Sequence, residues 1–156
     1  MLVFQVDLFP ARGDRPHDLE EGWSREKDIR FSSRTRRISD GLVRRRKEHR
    51  LINRLLEKLP ADYAELSEVK AVRKMVDCKA LNVVQLIHEP PAWQTGARDF
   101  EFSRSTMEAN WALGRDAVEA AMKDGHLLAE SIAEGRSESF AVQSNALRPK
   151  AEKDVS

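Results

Sequence analysis

Apolar positions recur along this chain with two different periods. From Leu2 to Phe9 they alternate with polar ones, and the run is rich in Val and Phe. That pattern predicts a strand whose central positions, Val3 to Val6, are mostly buried. Pro10 and Gly13 end it. From Ser24 to Leu59 the period changes: Phe31, Ile38, Leu42, His49, Ile52, Leu55, Leu56 and Leu59 recur at three, four and seven. This predicts a long helix that can break at Ser39-Asp40-Gly41, where Gly costs about 1 kcal/mol relative to Ala. Leu59-Pro60 stops it, because the residue before proline is pushed out of the helical region.

A second helix is expected from Ala61-Asp62 to about Cys78, with Tyr63, Leu66, Val69, Val72, Met75 and Val76 on its apolar side. Leu81 to His88 is short, apolar and β-branched, the signature of a buried strand, bounded by Pro90-Pro91. The stretch 92–102 reads as loop, with Trp93, Phe100 and Phe102 as anchors. Ser103 is suited to N-cap a third helix that runs to about Asp124. Met107, Trp111, Val118 and Met122 share its apolar side, and Gly125 is placed to terminate it. From Gly135 the chain turns polar and reads as a frayed tail.

The predicted class is a predominantly helical α/β fragment ordered strand, long helix, helix, strand, helix. Residues 1–132 form one lobe and 133–156 a disordered tail. Two strands separated by helices form a parallel pair, and such a pair is normally covered on both faces. Two strands alone cannot build that sheet, so the pattern itself points to a piece of a larger fold.

Charge is unevenly spread. Between Arg25 and Arg54 there are 12 Lys/Arg against 4 Asp/Glu, whereas the whole chain carries a formal net charge of +1. One segment is strongly basic and the remainder acidic. No span approaches the roughly 20 apolar residues that a membrane helix needs. The first residues have no basic leader, and Gln5 and Asp7 interrupt the apolar run, which argues against a secretory signal and for a cytoplasmic location. A single cysteine, Cys78, excludes an internal disulfide and reads as a small buried residue near a helix end.

Catalytic chemistry is hard to find. A serine held on a strand-turn-helix elbow is written G-x-S-x-G, because only glycine tolerates the crowding on either side, and no such sequence occurs. The seven glycines are scattered, so a glycine-rich oxyanion or phosphate loop is also missing. His17, His49, His88 and His126 fit no metal-ligand spacing and read as packing or surface residues. Only His88, at the end of the buried strand, lies where α/β sheets place functional side chains. Asp40-Gly41 and Asp124-Gly125 read as a helix break and a cap. Neither a metal nor a cofactor is implied.

The basic run is the strongest unexplained feature. On a helix Arg36, Arg37, Arg44, Lys47 and Arg54 line one broad stripe, which would attract anionic lipid headgroups, an acidic partner or nucleic acid. The competing reading is a solvated face paired with the acidic remainder of the protein. Few aromatics interleave with it, which weakens a single-stranded nucleic-acid role.

Four segments, Val3 to Gly13, Arg25 to Thr35, Leu81 to Ile87 and Asp99 to Arg104, together resemble the C-terminal region of bacterial patatin-like phospholipases. The resemblance covers roughly residues 2–124. It implies a three-layer α/β fold and ester hydrolysis by a Ser-Asp dyad, with the serine in G-x-S-x-G and the aspartate in D-G-G or D-G-A. Neither motif is present, so no catalytic residue of that family transfers to a position here. What the resemblance implies is a truncated or split product of a lipid acyl hydrolase, inactive alone, whose partner is the N-terminal catalytic portion. The alternative is a freestanding helical module that binds anions through the Arg-rich helix.

Overall fold

The computed structural model describes residues 1–10, 13–32, 34–88, 101–143 and 146–150. Its centre is a four-stranded sheet in the order β1 (Leu2–Asp7), β2 (Asn82–Ile87), β3 (Glu138–Gln143), β4 (Ala146–Pro149). The first three strands are parallel, and β4 pairs antiparallel with β3. The α/β class holds and the two expected strands and the helix after the second appear in the expected order, while the helices between the strands are more numerous and a further helix and two strands follow. Those two strands correct the reading of residues 133–156 as a disordered tail over the part that is described: β3 carries Phe140 and Ala141 into the core, and β4 carries Leu147, while residues 151–156 lie outside the described residues. The segment looked polar because only a few apolar residues are needed at positions covered on one face.

The helices are α1 (Leu19–Phe31), α2 (Arg34–Leu56), α3 (Ala61–Ala64), α4 (Ser67–Val76), α5 (Arg104–Lys123) and α6 (Gly125–Ala133). The predicted long helix is therefore two. Asp18 starts the first by accepting from the Glu21 N–H, while the His17 N–H donates to the Glu21 carboxylate, an N-terminal clamp that begins the helix five residues earlier than the apolar period does. The break falls at Ser32, whose backbone is extended (ψ 131°) and whose hydroxyl donates to the Ile29 carbonyl. Gly41, where the break was expected, sits inside α2. The Ser39 hydroxyl donates to Gln5 Oε1 (2.8 Å) and Asp40 accepts from Gln85 and Lys150, so neither side chain competes for the helix backbone.

The second predicted helix divides at Leu66, which is extended with ψ 137°. Ser103 caps α5 as expected, accepting from the Thr106 N–H. Gly125 opens α6 instead of closing α5; the glycine that needs a positive φ, +62°, is Gly135, just past the end of α6. Of the predicted loop anchors, Phe102 is exposed, and Trp93 and Phe100 lie outside the described residues.

Sheet register sorts the core into two faces. Val3, Gln5, Asp7, Val83, Gln85, Ser139 and Ala141 look toward α2; Phe4, Val6, Val84, Leu86, Phe140, Val142 and Leu147 look the other way, the side on which α5 and α6 pack. The strand order advances in one direction while its two crossovers lie on opposite faces. They therefore have opposite hands, and one departs from the right-handed rule.

Candidate functional site

β1 is the last strand of the sheet in its order, and among the described residues no strand pairs with its outer edge. The helices of the second face reach β2, β3 and β4 and stop short of it. Phe4 and Val6 are 60 % and 67 % exposed, and Leu8 beyond them is exposed too. The expectation that Val3 to Val6 are mostly buried holds only partly: Val3, packed against Val43 and Val83, and Gln5 are half-buried. A parallel strand with a bare edge and an uncovered apolar face is an incomplete layer.

Below β1, on the α2 side, the sheet is polar. Arg36 Nε lies 2.6 Å from Asp7 Oδ2, with side-chain exposures of 14 % and 4 %, and an Arg36 Nη donates to the Phe9 carbonyl (3.3 Å). Gln85 Nε2 donates to Asp40 Oδ1 (3.2 Å), and Lys150 Nζ donates to Asp40 Oδ2 and to Gln85 Oε1 (3.1 Å). The largely buried Arg36–Asp7 pair holds orientation more than it adds stability, because desolvation offsets most of the attraction, and the Lys150–Asp40 pair is partly exposed. Lys150 ties β4 to α2 through Asp40, so the strand that sequence reasoning left out is held at both sheet faces.

This geometry revises the basic stripe. Arg36 turns inward as the structural partner of Asp7 and leaves the set of surface cations. Arg37, Arg44 and Arg54 remain exposed, and Lys47 is half-buried. Arg44 Nε is 3.9 Å from Glu48, a loose pair one helical turn away. Among the described residues neither Arg37 nor Arg54 meets a carboxylate at ion-pair distance. Ile38, Leu42, Leu51 and Leu55 are exposed on the same helix, so its outward side mixes cations with apolar groups. The helix period was read correctly, but its apolar positions divide: His49, Ile52 and Leu56 are half-buried, Ile38, Leu42 and Leu55 are exposed, and the side chain buried against the sheet is Val43.

The other residues of chemical interest are dispersed. His49 Nδ1 is 3.2 Å from Cys78 Sγ, and that sulfur also donates to the Val76 carbonyl (3.4 Å), so the half-buried thiol sits in a helix-end contact. The backbone N–H of His88, at the end of β2, donates to the Asp7 carbonyl (2.7 Å) and extends the ladder. Asp124 accepts from the Leu147 N–H (3.0 Å), which makes Asp124-Gly125 a junction between α5, α6 and β4. Among the described residues no group of three or more His, Cys, Asp and Glu is placed to hold a metal ion. No helix described is long and apolar enough to cross a membrane. Among the described residues two carboxyls are held below their usual range, both on exposed side chains. Glu101 accepts from the Ser103 hydroxyl and, less strongly, from its N–H; Glu68 accepts from its own backbone N–H and then from Ser67.

Comparison with known proteins gives one result. No curated protein and no solved structure matches the chain. The patatin phospholipase family matches at residues 29–134, more than half of the chain, from the last turn of α1 through α6. Two of the four segments that carried the resemblance, 81–87 and 99–104, lie inside this range; Val3 to Gly13 lies outside it. By that match the chain belongs to the patatin phospholipase family.

Proposed function

We propose that this chain is the non-catalytic part of a patatin-like lipid acyl hydrolase, docked through β1 onto the part that carries the serine elbow and the Asp-Gly-Gly aspartate. The observation that carries the reading is the open side of β1: a free parallel edge next to uncovered Phe4, Val6 and Leu8. A strand added there would satisfy the unpaired backbone groups, and a helix packed beside α6 would cover the apolar side chains. Meanwhile α2, on the opposite face, turns Arg37, Arg44 and Arg54 toward anionic headgroups at the cytoplasmic side of a membrane. The chain has no G-x-S-x-G, so its contribution is shape and orientation, with acyl transfer left to the partner.

The test mixes the purified chain with the catalytic portion of a patatin-like protein and follows complex formation by gel filtration. Co-elution that is lost in Val6→Lys supports the reading. Co-elution that Val6→Lys leaves intact overturns the assignment of the seam to β1.

A second reading rests on Arg37 and Arg54, exposed cations without carboxylate partners among the described residues: a helical module that binds an acidic partner or nucleic acid. Its affinity would fall steeply with salt, with a slope set by the number of cations engaged. Binding to a DNA or RNA duplex that is absent at low salt removes it.

A further inference from the structure

The helix α5 lays Thr106, Ala120 and Ala121 inward and leaves a row of large apolar side chains facing out: Met107, Trp111, Val118 and Met122. Sequence periodicity placed these four on one side, as they are, but that side faces away from the sheet. Trp111 is 80 % exposed and Met122 75 %. Small residues, not the Met and Trp positions, pack against β3 and β4. Large exposed apolar groups aligned along about four turns of one helix mark an interaction surface.

The spacing of the row, four, seven and four residues, is the same in both directions. Met107 and Met122 are equally far from a point between Gly114 and Arg115, and so are Trp111 and Val118. At that centre Gly114 has open space where a Cβ would be. We infer that α5 is a two-fold docking surface for a second copy of this chain, the two helices crossing antiparallel at Gly114. In that arrangement Met107 meets Met122 of the second copy and Trp111 meets its Val118, each contact made twice, as an isologous interface requires. Glycine at the crossing lets the backbones approach at the short end of the usual 8–10 Å interaxial range. A shallow open hollow of about 570 Å³, with Phe102, Met107 and Trp111 in its lining, lies where the second copy's Met122 would enter.

Charge does not oppose the approach. Arg104 is paired with Glu108 at 2.7 Å, and Arg115, beside the crossing, lies 3.7 Å from both Asp116 and Glu119, so the cations next to the row have carboxylates within the same helix. The area is adequate for a reversible pair. The four side chains and Phe102 expose on the order of 600 Å² per copy, taking 150–250 Å² for each aromatic and less for the others. Doubled, that reaches the lower bound of about 1,200 Å² for specific association. A planar membrane is the poorer occupant, because the basic helix α2 lies on the opposite face of the sheet and one plane cannot meet both.

Sedimentation equilibrium of the full chain, with Trp111→Glu and Val6→Lys as variants, tests the inference. The expected result is twice the monomer mass at tens of micromolar, reverting to monomer in Trp111→Glu and unchanged in Val6→Lys. Circular dichroism should show Trp111→Glu folded as before, since the side chain is on the surface. In a Cys78→Ser background, Gly114→Cys should cross-link to itself under oxidising conditions, and Met107→Cys should cross-link to Met122→Cys and not to itself. A chain that stays monomeric at several hundred micromolar, a dimer that Trp111→Glu leaves intact, or a monomer that binds phosphatidylcholine vesicles with a blue shift of Trp111 would each overturn it.

Discussion

The two faces of the sheet are built from opposite chemistry. On the α5 and α6 side Val84, Phe140, Leu147 and Ala121 form a closed apolar cluster, with Leu86, Leu127, Leu128 and Val142 around it. On the α2 side the apolar cluster is confined to Val43, Leu81 and Val83, with Val3 beside it, and apart from Ala141 the remainder is polar, with Gln5, Asp7, Gln85, Ser139, Arg36, Asp40 and Lys150. Apolar burial scales with area and is indifferent to direction, whereas an ion pair or an amide contact works only in one register. The first face supplies most of the stability, and the second fixes where the basic helix lies. That division suits the proposed presentation of the helix to an anionic surface.

Substitutions on the two faces should therefore behave differently. Phe140 has 0 % exposure at the centre of the apolar face, so Phe140→Ala should cost about 3–5 kcal/mol in denaturant unfolding, the largest single effect in the chain. On the polar face Arg36→Met should cost about 2–3 kcal/mol, less than a fully buried pair, because it strands the Asp7 carboxylate. Adding Asp7→Leu to Arg36→Met should return most of that loss, since replacing both partners removes the uncompensated charge. An equal cost for the single and the double variant would show that the pair stabilises beyond its geometry.

Smaller effects sharpen the contrast. Ser103→Ala should cost about 1 kcal/mol by removing the α5 cap, read in the same unfolding curves. Ser139 faces α2 with a buried hydroxyl that has no hydrogen-bond partner among the described residues, so Ser139→Ala should raise stability by about 0.5–1 kcal/mol. The smallest effect concerns pH. The Glu101 carboxyl is held below its usual range by Ser103, so it adds stability above its ordinary titration range and loses it as pH falls through the lowered value. Glu101→Gln should remove that acid-side dependence; the slope can be read from melting temperatures at mildly acidic pH.

The sequence was legible where one property decided the outcome. Both strands, β1 and β2, and the Ser103 cap were correct: alternation marks β1, a buried Val-rich run marks β2, and a single hydroxyl marks the cap. β3 and β4 were missed because Phe140, Ala141 and Leu147 are too few to raise a polar segment above background. The α1–α2 break was placed at Gly41, since local propensity carries no knowledge of the tertiary partners that satisfy Ser39 and Asp40. The apolar rows of α2 and α5 were recognised without their direction, because periodicity reports which residues share a side of a helix, and not whether that side meets anything. Arg36 illustrates the same limit for charge: a stripe of cations gives no sign that one of them is committed to a buried aspartate.

The central claim is that this chain does not itself carry the ester-cleaving serine. A fluorophosphonate probe, which labels activated serines covalently, tests it most directly on the purified protein, with p-nitrophenyl ester turnover as the parallel readout. The account predicts no labelling and no release of p-nitrophenol above buffer. A stoichiometrically labelled serine together with turnover would contradict it.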